Sequence, residues 1–145
     1  KYENDKLVFF KSNTLQNNKK KFVDLKYEKN TNNFLIYGSS YKGTASLDNV
    51  IGNWWNHKIL QSDSQISPLS GSIKEQVITF IGKEKINLYE KEYFTHRFKL
   101  KSKDLSLPEE KKLDFDIWFE PKKNLILKVG YNRMGYWEYK LKNLK

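Results

Sequence analysis

The sequence predicts a mostly β fold: a curved antiparallel sheet in the form of a half-barrel or open barrel, with one short helix packed on it. Two observations lead to this prediction. Aromatic residues make up 15% of the chain whereas alanine occurs once, at Ala45, and aromatic and β-branched residues favour strands. In the last third of the chain, three apolar-rich runs are separated by two turn signals, which is typical of a β-meander.

The first half of the chain predicts another meander, followed by the helix. A polar, turn-like segment separates the first two strands, and a tight turn at residues 30–33 separates the next two, because asparagine tolerates left-handed backbone angles. Strands are expected over residues 6–11, 20–28 and 34–41, turns over 12–18 and 30–33, and a loop over 43–47. Asp48 is a candidate N-cap for a helix over residues 49–60, whose apolar residues recur at roughly helical spacing.

The second half predicts a series of antiparallel strands. Residues 61–72 are rich in serine and indicate a loop or a short edge strand, and residues 104–112 indicate a hairpin loop. Gly82 and Lys83 are expected to form a turn between two strands. Strands are expected over residues 74–81, 84–90, 93–102, 114–120, 125–129 and 136–141.

Charge and cysteine content exclude several classes of function. The net charge is +10, but Arg97 and Arg133 are the only arginines and the lysines are dispersed. Nucleic-acid sites use arginine heavily, so the pattern argues against a nucleic-acid partner. An anionic partner surface and a compositional bias towards lysine both stay open. The absence of cysteine excludes disulfides and thiolate chemistry.

Length and hydropathy predict a single β domain over residues 1–145. No apolar run approaches the ~18–20 residues of a membrane span, and no signal peptide is recognisable. His57 and His96 are the only histidines and lack the spacing of a zinc site. We therefore expect no metal and no cofactor.

Two groups of short motifs follow each other along the chain. The upstream motifs are Trp54-Trp55-Asn56, Gly71, Gly82-Lys83-Glu84 and Phe98-Lys99-Leu100. The C-terminal motifs are Trp118-Phe119-Glu120, the apolar strand at 125–129, and Gly135 with Tyr139-Lys140-Leu141. In this order, the motifs resemble an uncharacterised family of exported bacterial β-proteins that carry a domain of unknown function. Phe119, Glu120 and Phe98 depart from the family's usual Tyr, Asp and Tyr but keep their aromatic or acidic character.

The resemblance implies a curved sheet broadly similar to the half-barrels that carry lipoproteins through the periplasm. It implies a periplasmic or otherwise exported protein and supplies no catalytic residues. Family members usually have further strands before the position of Lys6, so the resemblance also implies a truncated or divergent front.

The densest unusual cluster is Trp54-Trp55-Asn56-His57. One interpretation is an apolar ligand site beside the predicted helix. The other is a helix that simply closes the core, which is the commonest use of buried aromatic residues. For the ligand site, the expected lining is Trp54, Trp55, Phe80, Phe115, Ile117 and Phe119.

Asp114, Asp116 and Glu120 share one face of a predicted strand with Trp118. Paired carboxylates could serve as acid and base, as in glycoside hydrolysis. The simpler interpretation places Phe115, Ile117 and Phe119 on the core face and the acids towards water, opposite lysines of a neighbouring strand. No nucleophile or orienting partner accompanies the acids, so we expect no enzyme.

The function predicted from the sequence is therefore a non-catalytic binding or carrier protein for an apolar or lipidic ligand. The alternative is a protein-interaction subunit that pairs through edge strands, with residues 6–11 as an open edge.

Overall fold

The computed structural model describes residues 1–54, 56–132 and 135–142, without the side chains of Gln16 and Glu110. Strands dominate, so the predicted mostly β fold is confirmed. The chain divides into two compact units, Lys1–Asn53 with Ser64–Lys74 and Trp54–Asp63 with Glu75–Lys145. The single domain expected over residues 1–145 stays a prediction.

The first unit is built on a four-stranded antiparallel sheet in the order β3-β4-β5-β6. A hairpin of β1 and β2 precedes it, and β7 pairs in parallel with β8, with Ile51 opposite Ile66. The strands are β1 (Tyr2–Glu3), β2 (Lys6–Leu7), β3 (Phe9–Gln16), β4 (Lys19–Glu28), β5 (Asn33–Gly38), β6 (Lys42–Ala45), β7 (Val50–Ile51) and β8 (Ser64–Ile66).

The core of the first unit is apolar throughout. Alternate residues of β4 and β5 point inwards, as the two-residue period of a strand requires. Leu25, Ile51 and Ile66 are fully buried, and each contributes roughly 1.5–3 kcal/mol through burial. The buried members of this core are Val23, Leu25, Phe34, Ile36, Ala45, Ile51 and Ile66.

The second unit contains five strands of a curled half-barrel sheet, hydrogen-bonded in the order β13-β12-β11-β10-β9. They form a simple antiparallel meander because each strand pairs with the next along the chain. The strands are β9 (Ile73–Leu88, which enters this unit at Glu75), β10 (Lys91–Ser102), β11 (Asp114–Glu120), β12 (Leu125–Asn132) and β13 (Tyr136–Lys140).

Two irregularities bend this sheet. Arg97 and Phe98 of β10 face Gly82 and Phe80, so Ile81 is an extra residue in β9. The pairing of β11 with β12 similarly leaves Leu127 as an extra residue between Ile126 and Lys128. Such β-bulges bend the strand that carries them and increase its local twist. The predicted curvature of the sheet is thus accounted for.

The prediction of a helix over residues 49–60 is wrong in both the extent and the type of the element. Residues Val50–Ile51 form a strand, and a 3-10 helix covers only His57–Gln61. Asn56 caps it by accepting a hydrogen bond from the Lys58 backbone N–H. Gly52, Asn53 and Asn56 have low helix propensity, which disfavours a helix here. The apolar side chain of Ile51 is buried in the core of the first unit. A second 3-10 helix covers Glu109–Lys111.

Several strand and turn boundaries also differ from the predictions. The turn expected over residues 12–18 is narrower, because β3 continues to Gln16 and only Asn17 and Asn18 turn, with φ of 51° and 63°. The loop expected over residues 43–47 contains most of β6. No turn interrupts β9 at Gly82.

The real hairpin turn between β9 and β10 is Tyr89–Glu90, where both residues have positive φ. A two-residue loop with positive φ at both positions matches the twist of the flanking strands. Neither residue is a typical turn former, which is why sequence patterning placed the turn elsewhere.

Part of the expected open edge at residues 6–11 is covered. Residues Lys6–Leu7 pair with Tyr2–Glu3, and the backbone N–H groups of Val8 and Phe9 donate to the Lys1 carbonyl. Strand β3, which contains residues 9–11, is one of the two edge strands of the four-stranded sheet. Across the described ranges, no helix has the length and apolar character needed to cross a membrane.

Candidate functional site

The second unit contains a groove of about 300 Å³ beside Trp54. It lies where β12 and β13 run side by side, and apolar side chains make up most of its wall. Its lining residues are Trp54, Ile126, Leu127, Lys128, Val129, Tyr139, Lys140 and Leu141. Apolar clefts of ~300–1,000 Å³ are typical of small-molecule sites. We take this groove as the candidate functional site.

The bulge in β12 lies within the groove wall. Leu127 is the extra residue of that bulge; it lines the groove and belongs to a buried apolar cluster with Ile86, Leu88 and Trp118. The Leu141 N–H donates to the Leu127 carbonyl at 2.8 Å and holds the end of β13 against β12. Val129 and Tyr139 are directly opposite each other on these two strands.

Trp54 forms one wall of the groove and is the first of three aromatic rings in successive contact, which we call the aromatic row: Trp54, Phe115 and Tyr131. Its ring is 4.8 Å from that of Phe115 in an edge-to-face arrangement, and Phe115 stacks on Tyr131 at 4.6 Å. Edge-to-face and offset-stacked pairs are the favoured aromatic geometries, and each adds about 0.5–1.5 kcal/mol beyond burial. The row therefore holds the half-buried Trp54 in a fixed position although Trp54 lies in a turn.

The short 3-10 helix that follows Trp54 is anchored to β9 by a buried amide. The Gln76 side chain, which is buried, donates to the backbone carbonyls of Ile59 and Ser62 at 3.0 Å and 2.8 Å. Ile59 is itself fully buried. These contacts satisfy the carbonyls at the end of the helix and fix the segment that carries Trp54.

The structure does not gather all six predicted lining residues at one place. Trp54 lines the groove, and Phe115 contacts Trp54. Ile117 is fully buried, and Phe119 stacks on His57 with ring centroids 6.0 Å apart. Phe80 is 53% exposed and packs against Phe98 and His96. Trp55 lies outside the described residues. Their role in ligand binding stays a prediction.

Sequence reasoning missed most of the actual lining. Ile126, Leu127, Val129 and Leu141 were assigned to strands but not to a site. The available signal was the unbroken apolar run 125–127, which does not alternate as a one-sided strand would. A run of this kind indicates burial on both faces or a bulge, and β12 has the bulge.

Two of the three acids of β11 do not face water, which corrects the simpler interpretation of that strand; the third, Asp114, is half-buried. Asp116 and Glu120 are each 7% exposed, and Trp118 between them is also buried. The predicted lysine neighbour is present, since Lys99 is directly opposite Asp116 on β10. The predicted alternation of apolar and acidic side chains between the two faces of β11 was therefore right, but buried residues lie on both faces.

A charged cluster neutralises Asp116. Arg97 Nη2 lies 3.1 Å from one carboxylate oxygen and Lys99 Nζ 3.4 Å from the other. Lys99 also pairs with Asp114 at 2.5 Å, and Arg97 with Glu84 at 3.3 Å. Burial alone lowers the pKa of Arg97, but the hydrogen bonds and charges of Asp116 and Glu84 outweigh it, so its pKa is raised overall.

Trp118 lies between two cations of this face. The Arg97 guanidinium carbon is 5.0 Å and the Lys128 ammonium 4.0 Å from the centre of its ring. Cation–π contacts contribute about 0.5–2 kcal/mol, more where the cation is desolvated. The indole Nε1 has no hydrogen-bond partner among the described atoms, so Trp118 contributes to this face through its ring.

Tyr136 covers Gly130 on the same face. A Cβ atom at position 130 would overlap the Tyr136 hydroxyl, so only glycine leaves room for the ring. Burial raises the pKa of Tyr136, and the nearby charges of Glu138 and Asp116 raise it further. An aromatic ring over a glycine in a neighbouring strand is a recognised way to stabilise a sheet edge.

The two buried acids, Asp116 and Glu120, both have structural partners. The Glu120 carboxylate accepts hydrogen bonds from the backbone N–H groups of Lys122 and Lys123 and so fixes the turn into β12. His57 and His96 pack against aromatic rings. Within the described residues, no group of three or more His, Cys, Asp or Glu side chains could hold a metal ion.

Fold and groove together define a class: a mostly β protein built on a curled half-barrel sheet, with an apolar groove near one edge. Residues 1–142 match the family described as a domain of unknown function, DUF6134, and the chain belongs to that family. No curated protein and no solved structure is significantly similar to the chain.

Proposed function

We propose that this protein is a non-catalytic, periplasmic or otherwise exported binding or carrier protein for an apolar or lipidic ligand. The observation that carries the proposal is the groove beside Trp54, whose wall is mainly apolar. The exported location is supported by the resemblance of its motifs to exported β-proteins. Fractionation of the source cells, followed by detection of the chain, tests the location independently of binding.

The groove suits a ligand because its wall is held from several sides. Phe115 fixes Trp54, the Leu141 N–H holds β13 to β12, and Gln76 anchors the short helix. A preformed apolar cleft loses little conformational entropy on binding. Burying apolar ligand surface there gives about 25 cal/mol per Å² before the costs of association are subtracted.

Binding of a fluorescent apolar dye, N-phenyl-1-naphthylamine, tests the proposal. We expect saturable binding, and at least about tenfold weaker binding in Leu141→Trp, because the half-buried Leu141 ends the groove and a larger ring would occupy it. Leu105→Trp is the matched control, since Leu105 is 78% exposed and lies outside the groove. Unsaturable binding, or equal loss in both variants, would refute the proposal. Native mass spectrometry of the purified protein then identifies any retained lipid.

A second candidate function is protein interaction through an edge strand. Strand β13 is at the edge of its sheet, and Tyr136, Trp137 and Tyr139 on it are all at least half exposed. Exposed aromatic side chains on an unpaired edge are typical of strand-addition sites. Light scattering at increasing concentration distinguishes the two functions, because a monomer at every concentration excludes self-association through this edge.

A further inference from the structure

We infer that the protein pairs with a second copy of itself through β13, as a symmetric antiparallel dimer with Tyr139 on the twofold axis. This inference rests on the edge-strand interaction given above as the second candidate function, and it adds the partner and the register. It does not depend on the apolar ligand. Three properties of β13 carry it: the direction of its backbone groups, its exposed aromatic side chains and the order of its charges.

The outer side of β13 has backbone groups available for pairing. The Leu141 N–H donates to the Leu127 carbonyl of β12. In an antiparallel pair, the residues that bond to the neighbouring strand alternate with residues that do not. Tyr139 therefore directs its backbone N–H and C=O towards β12, whereas Glu138 and Lys140 direct theirs away from it. Among the described residues, no strand pairs with that outer side, and such a row of groups is a template for another strand.

The side chains of β13 suit an interface between proteins. Tyr136, Trp137 and Tyr139 are 50%, 60% and 57% exposed, and tyrosine and tryptophan are enriched at protein–protein interfaces. Proline and bulges commonly protect an edge strand from pairing. Strand β13 contains no proline, and its register with β12 is unbroken. The edge is therefore regular enough to accept a partner strand.

The order of the charges selects a second copy and one register. In a symmetric pair, residues that direct their backbone groups outwards face each other. With Tyr139 on the axis, Glu138 of each copy is directly opposite the partner's Lys140, so two opposite-charge pairs form. With Glu138 or Lys140 on the axis, that residue faces its own copy, and like charges directly opposite are destabilising. These side chains already have ion pairs within the chain, so self-complementarity, and not an excess of charge, makes a second copy fit.

The dimer should be weak and should bring two grooves together. Five residues per strand make an interface smaller than the standard ~1,600 Å², so we expect a dissociation constant of roughly 10–100 µM. Tyr139 lines the groove beside Trp54. Because Tyr139 lies on the axis, the grooves of the two copies would meet there.

Sedimentation velocity over roughly 5–500 µM, which brackets the expected dissociation constant, tests the dimer. Lys140→Glu and Glu138→Lys each place like charges opposite each other twice, and each should weaken the dimer at least about tenfold. An equimolar mixture of the two variants should recover the dimer, because every acid again faces a lysine. Lys122→Glu, at an exposed lysine of the β11–β12 turn, is the matched control and should dimerise like wild type.

A disulfide cross-link reports the register without changing the charges. The chain has no cysteine, so a single introduced cysteine links only to its own copy. In the inferred register, residue 139 faces itself with Cα atoms ~4.5 Å apart, which is within the ~4.4–6.8 Å that a disulfide spans. Mild oxidation should therefore cross-link Tyr139→Cys. Trp137→Cys is similarly exposed but lies about 13 Å along the strand from its copy and should not cross-link.

The outcomes separate the inference from the proposed functions. A dimer that cross-links through Trp137→Cys and not through Tyr139→Cys, or that persists in both charge variants, shows edge pairing in another register and overturns the inference alone. A monomer at every concentration, with no cross-link at either position, overturns self-association at this edge together with the inference. Neither result bears on the apolar ligand, which dye binding tests separately.

Discussion

The two faces of β11 are both buried, but by different kinds of side chain. On one face, Ile117 is fully buried between Phe115 and Phe119, whose rings pack against other aromatic residues. On the other, Trp118 is buried between cations and Asp116 between Arg97 and Lys99. The comparison shows that one strand can be covered on one side by apolar packing and on the other by a neutralised charged cluster.

The two faces should respond differently to substitution and to salt. Apolar packing depends on volume and hardly on ionic strength. Ion pairs with partly exposed partners are weakened by screening, whose length falls to about 3 Å at 1 M salt.

Ile117→Ala should give the largest loss of stability. Removing a fully buried side chain costs about 2–5 kcal/mol in the free energy of unfolding, through lost burial and the cavity that remains. Urea denaturation should show this loss unchanged in 1 M NaCl. Ile81→Ala is the matched control, because Ile81 is 54% exposed, and it should cost well under ~1 kcal/mol. A similar loss in both variants would contradict the assignment of Ile117 to a core.

Asp116→Asn should lower the free energy of unfolding by about 1–2 kcal/mol, because Arg97 and Lys99 lose the carboxylate between them. We place the loss below that of a fully buried pair since the Arg97 and Lys99 side chains are 34% and 21% exposed. The difference from wild type should shrink in 1 M NaCl. Glu92→Gln removes a pair with Lys85 that is over half exposed on both sides and should have almost no effect. A salt-independent loss would argue that Asp116 acts through packing.

The smallest effect concerns alkaline pH and Tyr136. Its pKa is raised from 10.0 by burial and by neighbouring carboxylates, so the folded state holds this proton more tightly than the unfolded state. The associated stability is complete below pH 10 and is lost as pH rises through the raised pKa. We expect wild type to lose more stability than Tyr136→Phe between pH 9 and 11.5, measured by thermal unfolding. Tyr2→Phe, at another half-exposed tyrosine, is the control and should lose as much as wild type.

Most of the strands could be predicted from the sequence because their causes are local. Asn17-Asn18 and Asn124 adopt the positive φ that asparagine tolerates; the first pair follows the end of β3, and Asn124 directly precedes β12. In β11, alternation of Phe115, Ile117 and Phe119 with acids gave the correct division of side chains between the faces. The hairpin turn at Tyr89–Glu90 was missed, since neither residue favours that conformation and the tertiary pairing imposes it.

The candidate site could be predicted only at Trp54 and at its neighbour Phe115. Ile117 and Phe119 share a face with Phe115 and are directly opposite the lining residues Val129 and Ile126 on β12, but neither is itself part of the groove wall. The groove depends on Leu127 being an extra residue in β12, and a bulge is fixed by how two strands align, not by either sequence alone. Leu141 joins the wall through a backbone hydrogen bond to Leu127, which no side-chain pattern encodes.

By itself, the sequence determined that the chain is mostly β, where most of its strands lie and which residues share a face, because strand alternation and turn propensity act over a few residues. Only the tertiary structure decided that Val50–Ile51 is a strand, that Asp116 and Glu120 are buried, and that a groove opens beside Trp54. Those features depend on residues far apart in the chain, such as Lys99 opposite Asp116 and Val129 opposite Tyr139. Their energies arise only when the strands have paired.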